Sequence, residues 1–231
     1  MKPPLVLAIS LLTGSLVCRA QDSPTSTSPL YREALSEFTN MKTTLYQHKT
    51  EVDRVAGSYK YDCVEFVSYA LRHAAPIAWD SIFRARGLAK GRVPSPSSYQ
   101  QFFAGLWEKS QAGWEAVRGV KDLQPGDVVS WDYKTERATG HAVVVASLPK
   151  QISEDSWEVQ VYDSTSTPHG GDSRPTDERA QIYDVTGRRS GLGTGTMAFT
   201  ADPATGALTG YRWTTKGKVI LCPIGAGRPK E

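Results

Sequence analysis

From Leu30 onward the apolar residues of this chain recur at helical spacing: Leu30, Ala34, Phe38, Met41, Leu45, Val52 and Val55, with Glu33, Glu37, Lys42 and Lys49 between them. The pattern predicts an amphipathic helix that Gly57 and Ser58 break. A second helical run follows Tyr61-Asp62-Cys63, with Val64, Val67, Ala70 and Leu71 on one face and Phe66 widening it. Residues 94–98, Pro-Ser-Pro-Ser-Ser, read as a loop, and residues 100–115, around Phe102, Phe103, Leu106 and Trp107, as another helix. The period then changes. Pro125-Gly126 is a turn signal ahead of a short strand over 127–131, and Gly140 opens a continuous apolar strand from His141 to Ala146. Trp157, Val159 and Val161 alternate with Glu158, Gln160 and Tyr162, and further strands are expected over 197–200, 208–213 and 219–222. Helices first and antiparallel strands afterwards predict an α+β architecture, with residues 30–231 as one domain. Gly191, Gly193 and Gly195 lack the preceding strand and following helix of a phosphate cradle, so they read as a mobile or bulged loop. Residues 187–195 and 94–99 are the candidate lids.

The N-terminus reads as an export signal. Lys2 is followed by an apolar stretch from Leu5 to Val17 that is too short to span a bilayer, and Cys18-Arg19-Ala20 ends on a small residue. Val17 stands where a lipoprotein needs a small residue. Residues 21–29, rich in Ser, Thr and Pro, read as a disordered leader. Of the 27 basic residues of the 231-residue chain, Lys2 and Arg19 leave with the signal, so 25 basic face 24 acidic residues afterwards. Such a balance gives no general field for nucleic acid or anionic membrane. The expectation is a secreted or periplasmic protein with no membrane segment after cleavage.

Loss of Cys18 leaves Cys63 and Cys222. A disulfide between them is the plain alternative for a secreted chain, and two cysteines are too few for a disulfide framework or a structural zinc site. A nucleophilic thiol needs a place where its thiolate is stabilised, and a helix start provides one. Cys63 has Asp62 as a cap before it and the apolar run after it. Of the four histidines, His48 falls on the predicted N-terminal helix and His73 on the helix of the cysteine itself. A base must approach from another element, which points to His141 or His169. Asp163, ending the strand after that of His141, could orient the imidazole if the two strands are neighbours.

Three segments carry a resemblance. Tyr61-Asp62-Cys63-Val64-Glu65-Phe66-Val67 resembles the Asp-Cys-Ser-Gly-Phe-Val signature of the NlpC-like cysteine peptidases, a papain-related superfamily that includes the CHAP amidases. Leu123-Gln124-Pro125-Gly126-Asp127-Val128-Val129 is similar to the Leu-x-Pro-Gly-Asp-Leu-Val segment that precedes the histidine of that family, and Gly140-His141-Ala142-Val143-Val144-Val145 to its Gly-His-Val-Gly-Ile-Tyr strand. The resemblance spans residues 61–163. It implies a papain-like fold of N-terminal helices packed on an antiparallel sheet. Cys63 would be the nucleophile at a helix N-terminus, His141 the base and Asp163 the polar orienter. It further implies cleavage of amide bonds, often in peptidoglycan stem peptides, without a cofactor, and Asp62 as the holder of a substrate amine. Tyr61 and His169 join Asp62 as candidate substrate contacts. His169, between Pro168 and two glycines, is the poorer scaffold for a base.

Where the family has Ser-Gly after the cysteine, this chain has Val64-Glu65, and residues 164–231 fall outside the resemblance with no role assigned. Three other readings compete. One is a binding or inhibitory domain that keeps the fold without turnover. Another makes metal ligands of Cys63, His141 and Asp163, though with no close ligand pair. The third is thiol acyl transfer by the same nucleophile and base.

Overall fold

The computed structural model describes residues 28–89, 91–134 and 139–230. The expected signal peptide and residues 21–27 of the leader lie outside the described residues. Ser28 and Pro29, expected to close the leader, instead start the first helix, α1 (Pro29–Asn40). The Ser28 Oγ accepts from the Tyr31 amide, and Pro29 occupies the first turn, where its missing N–H costs nothing.

The helix predicted to reach Val55 ends at Asn40, because Met41 is extended (φ −61°, ψ 137°). Three short strands follow: β1 (Thr43–Leu45), β2 (Glu51–Asp53) and β3 (Ser58–Lys60). They form a small sheet in the order β1-β3-β2, with β1 and β3 parallel. Leu45, Val52 and Val55 matched the helical period by coincidence. The adjacent β-branched Thr43 and Thr44 favour the pleat, and the Lys42 amide is tied to the carbonyl of Gly57 at 2.7 Å. His48 therefore sits on the connection between β1 and β2, not on a helix.

Helix α2 (Cys63–Ala74) starts three residues after β3. Its cap is Asp62, whose Oδ1 accepts from the Glu65 amide at 2.9 Å, and it buries Cys63, Val64, Phe66, Val67, Ala70 and Leu71. Helices α3 (Pro76–Ala85) and α4 (Pro96–Gly105) complete the helical layer. The segment expected to be a loop over 94–98 contains the start of α4, since Ser95 caps it through the Ser98 amide at 3.1 Å and Pro96 takes the first position. The helix expected to run to residue 115 stops at Gly105.

The remaining strands are β4 (Trp114–Val117), β5 (Val128–Lys134), β6 (Thr139–Val145), β7 (Lys150–Ser153), β8 (Ser156–Thr165), β9 (Gln181–Ile182), β10 (Arg189–Ala201), β11 (Leu208–Arg212), β12 (Ile220–Leu221) and β13 (Ile224–Pro229). Their order is β12-β11-β10-β8-β6-β5-β13-β4, all pairs antiparallel, with β7 also on β8 and β9 also on β10. The architecture is α+β, as predicted. One face of this sheet packs with the helices around Phe66, Val67, Phe103, Val128, Ala142 and Val144. The other face encloses a second core around Trp131, Val143, Val159, Met197 and Phe199. β11 touches β13 although four strands lie between them in the order, so the sheet curls round that second core. The glycine-rich stretch is not a loop: Gly191, Gly193 and Gly195 lie within β10, paired with β8 over its length. Strands β10 to β13 thus extend the sheet that holds β6 and β8.

Candidate active site

Cys63 is the first residue of α2 and is only 6% exposed. Its placement at a helix start was expected to stabilise the thiolate. Burial, and then the charge of Asp62, instead push the thiol well above its usual range, while the amides of Ala142 and Val64 pull the other way. A resting thiol at this position keeps its proton until a base takes it.

His141 is placed by Gly140, whose φ of +111° belongs to glycine and whose added Cβ would lie 2.0 Å from the Trp131 carbonyl oxygen. The ladder between β5 and β6 breaks there, and the imidazole turns inward between the rings of Trp131 and Trp213, 5.3 and 5.2 Å between centroids. Strand β8 is the neighbour of β6, and Asp163 near its end brings Oδ2 to 2.6 Å from His141 Nε2. Nε2 therefore donates, and Nδ1 is the ring nitrogen left to take a proton. Burial pulls the imidazole pKa down. Asp163 opposes that by hydrogen bond and charge, and His169 and Arg174 add to the lowering.

Asp163 is fully enclosed. Its Oδ2 also accepts from His169 Nε2 at 2.8 Å, and its Oδ1 meets the Arg174 guanidinium. Burial works against its charge, yet Arg174, His169 and the two imidazole hydrogen bonds outweigh it and hold the carboxyl well below the usual range. His169 departs from the expectation of a loosely held residue that meets substrate. Its side chain is wholly buried, stacked on Trp213 at 4.0 Å between centroids, and its amide donates to Asp172 Oδ2 at 2.8 Å. Tyr61, expected as a substrate contact, is fully buried too, with its hydroxyl donating to Glu37 Oε2 at 2.7 Å in the helical core. Sequence reasoning passed over Arg174 altogether. Its one signal, Asp172-Ser173-Arg174-Pro175, reads as a polar turn.

Cys63, His141 and Asp62 line one cavity of about 750 Å³. Its walls include Trp131, Tyr133, Tyr211 and Trp213 on the sheet side and Val93 to Pro96 on the helix side. One expected lid, over residues 94–99, thus borders it; the other, over 187–195, is largely strand and does not. Asp62 also shares its Oδ2 with His48 Nδ1 at 3.1 Å. Cys63 and Cys222 are both free thiols, so the disulfide reading fails. The metal reading named Cys63, but among the described residues the ligand-type atoms that cluster within 4.8 Å are those of His141, Asp163 and His169. These atoms hydrogen-bond one another and Arg174 sits on the same carboxylate, an arrangement suited to sharing protons and poor for a cation.

Residues 54–165 match the family model of the CHAP domain, a cysteine peptidase and amidase domain of the papain-like superfamily. The match takes in Cys63, His141 and Asp163 and ends before His169 and Arg174. No curated protein and no solved structure matches the chain.

Proposed function

We propose that this protein, with a CHAP domain over residues 54–165, is a thiol hydrolase of amide bonds that uses Cys63 as nucleophile, His141 as base and Asp163 as orienter. The observation that carries this reading is that Cys63 and His141 line the same cavity, with the Asp163 carboxylate taking Nε2 and leaving Nδ1 of the imidazole. Nδ1 of His141 takes the thiol proton as the sulfur attacks the substrate carbonyl, forming a C–S bond and a tetrahedral intermediate. That intermediate collapses by breaking the C–N bond, with the proton passing from His141 to the departing amine. Water, deprotonated by the same imidazole, then releases the acyl group and restores the thiol.

Peptides, and peptidoglycan stem peptides in particular, are the proposed substrate class, in keeping with the family. Asp62, at the cavity wall and partly exposed, is the proposed anchor for a substrate amine. The export-type segment from Lys2 to Ala20 supports an extracytoplasmic location, and among the described residues no helix is long and apolar enough to cross a membrane. The test is digestion of purified peptidoglycan and its soluble muropeptides, read by mass spectrometry for new amine-bearing fragments, with Cys63→Ala as control. Cleavage that disappears in the variant supports the hydrolase. Retention of muropeptides by both proteins without cleavage would replace it with the silent binding domain.

A further inference from the structure

The chain beyond Thr165 folds back over β8 and β10 and buries an entire arginine. Arg174 Nε donates to the Gly191 carbonyl at 2.7 Å, Nη1 to Asp172 Oδ2 at 2.6 Å, and Nη2 to the Asp163 carbonyl at 2.6 Å as well as to its carboxylate. Side chains of Asp163, His169 and Arg174 are all fully shielded from solvent. Burying an arginine is costly unless every partner is in place, and a turn has no need of it. A second, independent observation concerns the glycines of β10. Gly193 pairs with Asp163, and paired residues of an antiparallel ladder share a face with Gly191 and Gly195. A Cβ on Gly193 would lie 2.7 Å from Cγ, Nε and Cζ of Arg174, and one on Gly195 would lie 2.8 Å from Cβ of His169. The glycine stretch is the bed on which these two side chains rest beside Asp163.

We infer that Arg174, supplied from beyond the family-matched segment, is a positioning residue. By occupying Oδ1 of Asp163 it leaves Oδ2 to face His141, and its charge balances that of the carboxylate, while His169 holds the same oxygen from the other side. The groups in contact with the Asp163 carboxylate are His141 from β6, His169 and Arg174, with Asp172 behind the guanidinium, while Cys63 from α2 and Tyr46 from the segment after β1 feel its charge at longer range. The role assumes the hydrolase reading above, but its electrostatic content stands apart from turnover. Loss of the Arg174 cation removes a repulsion that lowers the His141 imidazole, so His141 should titrate at higher pH. Loss of Asp163 should move it the opposite way.

The experiment compares the full chain with Arg174→Gln, Arg174→Lys and His169→Gln. Two readouts are followed: NMR titration of the His141 ring, and the pH profile of Cys63 alkylation by iodoacetamide. Arg174→Gln should raise the His141 titration and the acid limb of alkylation together by about one pH unit, the effect expected of a charge at this range. Arg174→Lys, which keeps the charge without the fork, should return most of the pH position and less of the rate. His169 lowers the His141 imidazole at least as strongly as Arg174 does, so His169→Gln should shift both readouts upward by at least as much, and it carries the test if Arg174→Gln does not fold. A folded Arg174→Gln protein, or failing that His169→Gln, whose titration superimposes on wild type overturns the inference. Absence of Cys63 alkylation in the wild type would count against the hydrolase, while the His141 titration would still decide the role of Arg174.

Discussion

Oδ2 of Asp163 lies 2.6 Å from Nε2 of His141, with the two side chains 0% and 9% exposed. The contact fixes the tautomer and opposes the burial that lowers the imidazole. Asp163→Asn keeps an oxygen and removes the charge. Because Asp163 raises the His141 pKa, its loss lets the pKa fall further, so the acid limb of Cys63 alkylation should move down by about one pH unit. The weaker base should also slow the plateau rate by roughly tenfold. An unshifted profile would reduce Asp163 to a turn former ahead of Ser164 and leave a cysteine–histidine pair.

The two free thiols offer an internal comparison. Burial, then Asp132, pushes Cys222 up to about 11, and Cys63 is pushed higher still. Ionisation alone would leave both unreactive at neutral pH. Cys63 should nonetheless alkylate first at pH 7, because His141 shares its cavity and can take the proton. His141→Ala should slow labelling at Cys63 by about 100-fold and leave Cys222 unchanged. Peptide mapping by mass spectrometry reads both sites, and faster labelling at Cys222 would overturn the assignment.

Glu37 makes a prediction about stability. It is fully buried in the helical layer, and burial raises its pKa well above the ordinary 4.5, with the Tyr61 hydrogen bond opposing. A carboxyl raised on folding makes the native state bind more protons than the unfolded chain. Its stabilising effect is present below about pH 4.5 and is lost as pH climbs to the folded value. Each unit of displacement is worth about 1.4 kcal/mol. Glu37→Gln should therefore be more stable than wild type at pH 8 and lose the advantage at pH 5. Urea midpoints at the two pH values measure this, and an equal gain at both would remove Glu37 as the cause.

Gly193 tests the bed beneath Arg174. An alanine there presses a methyl group into the guanidinium stem, and overpacking of this kind costs about 1–3 kcal/mol. Gly193→Ala should lower the thermal midpoint and shift the acid limb upward, as Arg174→Gln does, by a smaller amount. Gly105→Ala, at the end of α4 where a Cβ meets nothing within 4 Å, should leave the acid limb in place and should not lower the midpoint, since alanine favours the helix. Equal behaviour of the two variants would contradict the packing argument.

Cys63, His141 and Asp163 stood out in the sequence because each carries a local signature: a capping Asp before a helical run, a glycine opening an apolar strand, a polar residue closing the next one. Arg174 carries none, and His169 is a candidate marked only by its turn between Pro168 and two glycines. Both side chains reach Asp163 through a long connection whose course depends on tertiary packing, and the sequence marks only its turns. Glycine weakens a strand in isolation, so Gly191, Gly193 and Gly195 pointed to a loop. In the fold the continuous ladder to β8 compensates, and the missing side chains are what the neighbours require. The overlong first helix failed for the converse reason. Apolar positions kept the helical period past Met41 by chance, whereas Thr43 and Thr44 favoured extended chain.

The pairing of Asp163 with Gly193 ties the surroundings of the carboxylate to correct assembly of the sheet. Strand side chains alternate, so a slip of one residue between β8 and β10 would set Leu192 or Thr194 where Gly193 belongs. Either side chain would occupy the space that Arg174 fills. A chain zipped one step out of phase could still hydrogen-bond its sheet, but its carboxylate would stand without its cation. Only the register that leaves room for Arg174 brings the carboxylate together with its cation and both imidazoles, so an error of folding would be written into the site itself.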